Sequence, residues 1–219
     1  MITTESESAH PLAAVLDAAA RGRFPAADGR FDVMPRLPGP ADALIGFTGH
    51  FVLAADIPAD AVAARVSPED LSVPMSPTFL NWVAECTGSR PATFDALLCA
   101  MGTGEGAPAW LEPDPRYEHP RVQRARRYRD EIDVWRTREG DAILAVGRGI
   151  CDRWELGFEI APEARGRGLG RRVAAAARAL VPAGTPVWAQ VAPGNAASLR
   201  AVIAAGFSPV AAEVLFPRG

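Results

Sequence analysis

A glycine-rich turn between a strand pattern and a helix pattern is the feature that most constrains this chain of 219 residues. Leu156, Phe158 and Ile160 alternate with other residues at strand periodicity, and Pro162 is expected to end the strand because it cannot donate to a sheet ladder. Beyond the glycines, apolar residues recur at helical spacing from Leu169 to Leu180. The sequence therefore predicts a strand, a tight turn and a helix in this order.

The turn itself has the composition of an anion-binding site. Three glycines, Gly166, Gly168 and Gly170, remove β-carbons where a backbone must turn sharply or approach a ligand closely. The first amides of the following helix have no partner within the helix, and its start carries a partial positive charge. Four arginines surround the turn: Arg165, Arg167, Arg171 and Arg172. Together these features suit a pyrophosphate.

Two common phosphate motifs are excluded by inspection. A nucleoside-triphosphate loop needs Gly-Lys-Ser/Thr, and the chain contains no lysine. A dinucleotide site needs the spacing G-x-G-x-x-G, whereas the glycines here lie at 166, 168 and 170.

The segment Arg165-x-x-Gly168-x-Gly170, directly after a strand, resembles the acyl-CoA-binding signature of the GNAT (GCN5-related N-acetyltransferase) superfamily. A second stretch resembles the later motif of the same family, in which an asparagine leads into a helix that ends at Gly-Phe. This stretch is Asn195-Ala196-Ala197-Ser198-Leu199-Arg200, followed by Ala205-Gly206-Phe207. The resemblance covers residues 130–219 well and the first hundred residues poorly.

The resemblance implies an α/β (α+β) fold with a mixed, mostly antiparallel central sheet flanked by helices. Strand patterns at 132–135, 142–150, 154–160, 187–191 and 210–216, with helices before 187 and before 206, match the order of the family core. Residues 106–219 are expected to form this core. Residues 1–105 are expected to form an additional α/β segment, in which the long apolar stretch Leu44–Ile57 is predicted to be one strand that could supply the first strand of the core. The segment Thr93–Met101 is a strand or a buried helix, and its period does not decide.

The resemblance also implies acetyl-CoA, or another acyl-CoA, as co-substrate. In the family, the strand before the glycine turn splays away from the next strand, here Val187–Val191, and the pantetheine arm lies in the gap and pairs with free main-chain groups. The residues expected to bind it are Phe158, Ile160, Arg165, Gly166, Arg167, Gly168, Leu169, Gly170, Arg171, Asn195 and Ser198. Asn195 is alternatively a plain helix cap, and the two roles can coexist.

The implied reaction is acyl transfer to a primary amine of a small molecule or peptide, which requires a group that removes a proton from the amine. Glu155 and Glu159 are the candidates on one face of the strand. Glu155 is the hypothesised base, because its position resembles that of an acidic residue often found at the start of this strand in the family, and a surface or ion-paired glutamate is the alternative. Many family members have a tyrosine in the last helix that protonates the leaving thiolate, but the corresponding residue is Val202. The acid is therefore missing, replaced from elsewhere or unnecessary, and an acyl-CoA-binding module without turnover stays open as a second function.

The charge balance, the histidines and cysteines and the lack of long apolar stretches indicate which partners and which compartment to expect. Twenty-three arginines against 26 acidic residues give a net charge of −3, so no nucleic acid is expected as a partner. The basic run Arg116–Arg129 is interpreted as a solvated helix face. Contacts to CoA phosphates or to an acidic acceptor are the second interpretation, and contacts to nucleic acid are the third. Isolated histidines and three unpaired cysteines predict no metal site and reduced thiols. Without a signal peptide or an apolar span, a cytoplasmic protein with no membrane partner is expected, and a homodimer stays open.

Overall fold

The computed structural model describes residues 9–218, and within them a single sheet of ten strands is flanked by six α-helices. The predicted fold class is confirmed. The strands are β1 (Phe31–Met34), β2 (Ala41–Phe47), β3 (His50–Ala54), β4 (Phe94–Met101), β5 (Leu111–Pro113), β6 (Asp130–Thr137), β7 (Ala142–Arg148), β8 (Trp154–Ile160), β9 (Pro186–Val191) and β10 (Ser208–Pro217). The helices are α1 (Pro11–Ala20), α2 (Ala59–Ala63), α3 (Pro77–Thr87), α4 (Pro120–Tyr128), α5 (Leu169–Leu180) and α6 (Ala196–Ala204).

The strands lie side by side in the order β1-β3-β2-β10-β4-β9-β8-β7-β6-β5. Neighbouring strands are antiparallel except for two parallel pairs, β1 with β3 and β8 with β9. The resemblance predicted a mixed sheet that is mostly antiparallel, and the pairing agrees with it.

β4 lies in the middle of the sheet although it comes early in the chain. It pairs with β10 on one side and with β9 on the other, and both partners belong to the last part of the sequence. Strands from before and after residue 105 therefore share one hydrogen-bonded sheet. The division of the chain into domains at residue 105 stays a prediction.

The prediction of one strand over Leu44–Ile57 is wrong, because the structure has a hairpin there. β2 and β3 pair in antiparallel register, with Phe47 opposite His50 across a turn at Thr48 and Gly49. Gly49 has a φ of +66°, which a glycine adopts readily. Both strands are buried along their whole length, so no alternation of apolar and polar residues marks the turn.

Several helix boundaries agree with the sequence patterns. The side chain of Ser76 caps α3, and Gly88 ends it in the left-handed conformation. The apolar stripe of Leu12, Leu16 and Ala19 is the buried face of α1. The side chain of His10 caps the start of α1.

Helices on the two faces of the sheet separate two environments around β8. Leu156 and Ile160 of β8 belong to the core that α5 and α6 complete with Val173, Ala177 and Val202. The alternate residues, among them Glu155 and Glu159, lie on the other face and contact arginines at or near α4. Strand alternation thus presents apolar side chains to α5 and carboxylates to α4.

Candidate functional site

β8 and β9 pair over only part of their length. The parallel register joins Trp154 with Val187, Glu155 with Trp188 and Leu156 with Ala189, and it extends no further. β8 nevertheless stays paired with β7 as far as Ile160, and β9 stays paired with β4 as far as Val191. The two strands therefore part in the middle of the sheet, as the family resemblance predicted.

The pairing of β8 with β7 shows which main-chain groups face this gap. Bonds from Ala161 N to Asp141 O and from Gly149 N to Arg153 O flank the register and place odd-numbered β8 residues in the hydrogen-bonded pairs. The N–H and C=O groups of Phe158 and Ile160 consequently point away from β7 and toward the gap. The guanidinium of Arg165 donates to Ile160 O at 3.0 Å, so this carbonyl already has a partner within the protein.

The glycine turn lies at the end of β8 and begins α5. Gly166 and Gly168 have φ values of +76° and +80°, a conformation that side chains with a β-carbon rarely adopt. Gly168 is the N-cap of α5, and no side chain caps the first turn of this helix. The amides at the start of α5 are thus left for an external acceptor.

The third glycine has a packing role. A β-carbon on Gly170 would lie 3.3 Å from the β-carbon of Ala201 and 3.6 Å from the ring of Phe158. Gly170 therefore lets α5 pack closely on β8 and α6. Leu169 beside it packs on the same core.

The arginines of the turn are mostly exposed. Arg167 and Arg171 face solvent, and the guanidinium of Arg172 lies 4.6 Å from the ring centroid of Trp110. Arg165 is exposed as well, but its bond to Ile160 O ties it to the end of β8. A contact of Arg167 or Arg171 with a diphosphate stays a prediction.

Asn195 caps α6 as expected. Its side-chain oxygen accepts from Ser198 N at 3.1 Å, and both residues border the gap between β8 and β9. The helix-cap role is thus observed, and a ligand contact of the same residues stays a prediction. Val202 on the same helix is fully buried and lies at the cavity wall.

A cavity of about 300 Å³, here called the gap cavity, lies where β8 and β9 part. On the α6 side it is lined by Asn195, Ser198 and Val202. On the α4 side it is lined by Arg124, Tyr128 and Arg129, with Asp95 of β4 and Glu155 of β8 at its wall. The gap cavity is therefore lined by side chains from both faces of the sheet.

Glu155, predicted as the base, is the centre of a buried network. It is 3 % exposed and accepts from Arg129 Nε at 2.8 Å and from Arg153 Nε at 2.8 Å. Gln190 Nε2 donates to the same carboxylate at 3.1 Å and to Glu213 at 2.9 Å. Burial acts to raise the pKa of Glu155, but the charges of Arg153 and Arg129 outweigh it and hold the pKa below its ordinary value. An ionised, doubly paired carboxylate is the ion-paired alternative that the sequence left open, and the base role of Glu155 stays a prediction.

Glu159, the second predicted carboxylate, lies further from the cavity. Its side chain is 39 % exposed and faces Arg121 Nε at 3.5 Å. It is not among the residues that line the gap cavity. Its catalytic role stays a prediction, and the geometry offers it a surface ion pair.

Two residues that line the cavity, Asp95 and Tyr128, are not among the site residues predicted from the sequence. Asp95 of β4 lies directly opposite Glu213 of β10, and burial together with this like charge raises the pKa of Asp95 to about 6, against a smaller opposite effect of Arg124. Tyr128, the last residue of α4, lines the same cavity. The period of residues 93–101 did not decide between strand and helix, so it gave Asp95 no position, and the position of Tyr128 depends on the packing of α4 against β8, which the sequence alone does not show.

Cys99 and Cys151 do not have the environment of a nucleophilic thiol. Burial raises the pKa of Cys99 to about 12 and that of Cys151 to about 11. Neither residue lines the gap cavity. Across residues 9–218 no group of three or more His, Cys, Asp or Glu side chains has an arrangement that could hold a metal ion.

Comparisons with known proteins return structural neighbours only. No protein-family model matches the chain, and no curated protein matches it. One neighbour is an acetyltransferase of the GNAT family from Colwellia psychrerythraea, with a TM-score of 0.38 and 15% identity over 65% of this chain and 63% of that chain. Another is a GCN5-related N-acetyltransferase from Kribbella flavida, with a TM-score of 0.39 and 16% identity over 98% of this chain and 97% of that chain. Both neighbours are GNAT acetyltransferases.

This chain spans less than two thirds of the Colwellia protein. Both TM-scores are below 0.5, so neither neighbour is used to assign a function to this chain. Within the described residues, no helix combines the length and the apolar character that crossing a membrane requires.

Proposed function

We propose that this protein is an acyl-CoA-dependent N-acyltransferase that moves a short acyl group, most simply acetyl, to a primary amine of a small molecule or peptide. The observation that carries the proposal is the gap between β8 and β9, which opens beside an uncapped helix start. A parted parallel pair offers main-chain groups to an extended ligand, and the helix start offers amides to its phosphates.

The residues present fit coenzyme A. The amides at the start of α5, with Arg167 and Arg171 beside them, suit the diphosphate. The main chain of Phe158, with the N–H of Ile160, suits the amide groups of the pantetheine arm, and Asn195 and Ser198 border the same gap. When bound, an acyl-CoA supplies the thioester whose acyl carbon the amine attacks.

The reaction forms an N–C bond and breaks the C–S bond, so the amine must lose a proton and the departing sulfur must gain one. A free primary amine has a pKa of about 10.4, so a base is needed near neutral pH. Asp95 is the better candidate than Glu155, since it lines the cavity without an arginine within salt-bridge distance among the described residues. Its raised pKa of about 6 suits a base near neutral pH.

Two further groups complete the proposed site. A main-chain N–H of β8 directed into the gap would polarise the acyl carbonyl, and one such donor is worth about 2.7–4 kcal/mol in other enzymes. Tyr128 would protonate the leaving thiolate in place of the tyrosine that Val202 replaces, because its side chain lines the same cavity.

A second function is supported by one observation. Val202 occupies the usual tyrosine position and is fully buried, so α6 supplies no proton there. A protein that binds acyl-CoA as a sensor without turnover would need none.

Calorimetry with acetyl-CoA, followed by thiol release with a panel of amines and peptides, tests both functions. Binding with sustained, amine-dependent thiol release supports the transferase. Binding without release from any acceptor supports the sensor. Absence of heat with acetyl-CoA at millimolar concentration contradicts both.

A further inference from the structure

A second cavity adjoins the gap cavity on its α4 side and has a strongly basic lining. Its volume is about 510 Å³, and it shares Ala92, Thr93, Arg124 and Tyr128 with the gap cavity. We call it the arginine cavity. Among residues 9–218, its lining includes three arginines and no acidic residue; the arginines are Arg90, Arg124 and Arg218.

Two of these arginines are without a carboxylate partner among the described residues. Arg218 already has partners within the protein, since it donates to Asp42 at 3.0 Å and to the carbonyl of Leu37 at 3.0 Å. Arg90 and Arg124 have no carboxylate within 4.0 Å in residues 9–218, although the chain as a whole has a net charge of −3. The ring of Tyr128, 5.9 Å from the guanidinium carbon of Arg124, keeps this side chain beside the cavity.

The gap cavity, unlike the arginine cavity, has carboxylates as well as arginines in its lining. Asp95 lies at the wall of the gap cavity, and Arg124 lines both cavities. An ammonium group is attracted toward Asp95, and a carboxylate or phosphate is attracted toward Arg90 and Arg124. The glycine turn at 166–170 does not line the arginine cavity, so this site is separate from the residues assigned to the diphosphate.

Resting on the proposed function, we propose that the acyl acceptor is a small amine that also carries an anionic group, which Arg90 and Arg124 hold while the amine lies beside Asp95. Guanidinium groups bind carboxylates and phosphates through paired N–H donors, and both anions would satisfy the same two arginines. The substrate class is therefore an amino acid or an aminoalkyl phosphate, and a simple alkylamine lacks the second contact.

The experiment compares matched acceptors in thiol release from acetyl-CoA. The pairs are β-alanine with propylamine, phenylalanine with phenethylamine, and O-phosphoethanolamine with ethanolamine. We expect the anionic member of at least one pair to have a kcat/KM higher by roughly 10-fold or more, the effect of one charge-assisted hydrogen bond. The carboxylate and phosphate arms identify which anion the site prefers. Equal or better use of the neutral members overturns the inference and leaves the transferase function intact.

Variants locate the effect. Arg124→Gln and Arg90→Gln are each expected to raise the KM of the anionic acceptor roughly 10- to 100-fold and to leave the KM of acetyl-CoA unchanged. Arg127→Gln is the matched control, because Arg127 is an exposed arginine of the same helix that lines neither cavity. Equal effects of Arg124→Gln and Arg127→Gln contradict the inference. A raised KM for acetyl-CoA in Arg124→Gln also contradicts it, because the arginine would then serve the CoA phosphates.

Direct binding separates failure of the inference from failure of the proposed function. If acetyl-CoA binds but no amine is turned over, β-alanine, phenylalanine and O-phosphoethanolamine are titrated into CoA-saturated protein. Heat that Arg124→Gln abolishes and Arg127→Gln retains supports the anion site, and no heat from any of the three overturns it. If acetyl-CoA itself does not bind, the proposed function fails and this inference falls with it.

Discussion

Three side chains hold the carboxylate of Glu155, and two of them are charged. Arg129, Arg153 and Gln190 all donate to it, while Arg153 also donates to Glu213 at 2.7 Å. A carboxylate held in this way keeps its proton off in the folded state. At the scale of single residues, Glu155 therefore differs from Asp95, which lines the gap cavity without an arginine within salt-bridge distance among residues 9–218.

Replacing Glu155 tests the structural part of this assignment. Glu155→Gln leaves Arg153 buried with one carboxylate partner fewer, and a broken buried pair lowers the free energy of unfolding by about 3–5 kcal/mol. Urea unfolding at pH 7 measures it. Glu159→Gln is the control, since its half-exposed pair with Arg121 is worth about 0–1 kcal/mol. Losses of equal size in the two variants would contradict the assignment.

The difference in free energy of unfolding between wild type and Glu155→Gln is expected to depend on pH. The pKa of Glu155 is lowered in the folded state, so its stabilising effect is present above the ordinary glutamate value of 4.5 and is lost as pH falls through the lowered folded-state pKa. The difference between wild type and Glu155→Gln should therefore shrink in acid. If activity is found, an unchanged pH–rate profile in this variant dismisses Glu155 as the base.

Asp95 should behave in the opposite sense. Its folded-state pKa of about 6 lies above the unfolded value of 3.8, so the folded state loses stability as pH rises between these values. Asp95→Asn is expected to be more stable than wild type by about 1 kcal/mol at pH 8, allowing for solvent screening of a partly exposed group, and to show no gain at pH 3. It should also remove the acid limb near pH 6 from kcat/KM. A variant that keeps this limb would exclude Asp95 as the base.

At the scale of elements, Gly168 combines a left-handed backbone conformation with a position at the start of α5, where we propose that the diphosphate binds. Gly168 has a φ of +80° with open space around its missing β-carbon. Gly184, in the loop after α5, has a φ of +75° and equally open space. Both glycines have a left-handed backbone conformation, but only Gly168 lies at the start of α5. Gly184 is therefore the matched control for a substitution of Gly168.

Both Gly168→Ala and Gly184→Ala should destabilise the fold by about 1–2 kcal/mol, the penalty for a β-carbon in the left-handed region. Only Gly168→Ala should weaken acetyl-CoA binding, by roughly 10-fold, because it disturbs the amides that face the diphosphate. Thermal unfolding and calorimetry measure the two effects. Equal affinities of the two variants for acetyl-CoA would remove the start of α5 from the site.

Patterns local in sequence predicted the elements around the gap well. The strand β8, the turn and α5 followed from alternation, glycine spacing and helical period, and Asn195 caps α6 as expected. Two features of the structure depend on residues that are distant in the sequence, so local patterns did not predict them. The turn at Gly49 is hidden because β2 and β3 are both fully buried, and the position of Asp95 at the cavity depends on β4 pairing with β9 and β10. The parting of β8 from β9 followed from family resemblance and not from the residues of either strand.

At the scale of the whole molecule, the position of β4 predicts how the chain unfolds. Removing residues 1–105 would take β4 from between β9 and β10 and expose the edges of both strands. We therefore expect the fragment 106–219 to be unfolded or aggregated, and the full chain to unfold in a single urea transition by both fluorescence and circular dichroism. A folded, soluble fragment or two separate transitions would instead support a domain boundary near residue 105.

The gap cavity is lined on one side by residues of α6 and on the other by residues of α4. If the proposed function holds, donor and acceptor can be bound there together, and none of Cys86, Cys99 and Cys151 lines the cavity where a thiol could carry the acyl group between them. Initial rates measured over both concentrations should then give double-reciprocal lines that intersect. Parallel lines, the mark of a ping-pong route through an acylated protein, should not occur.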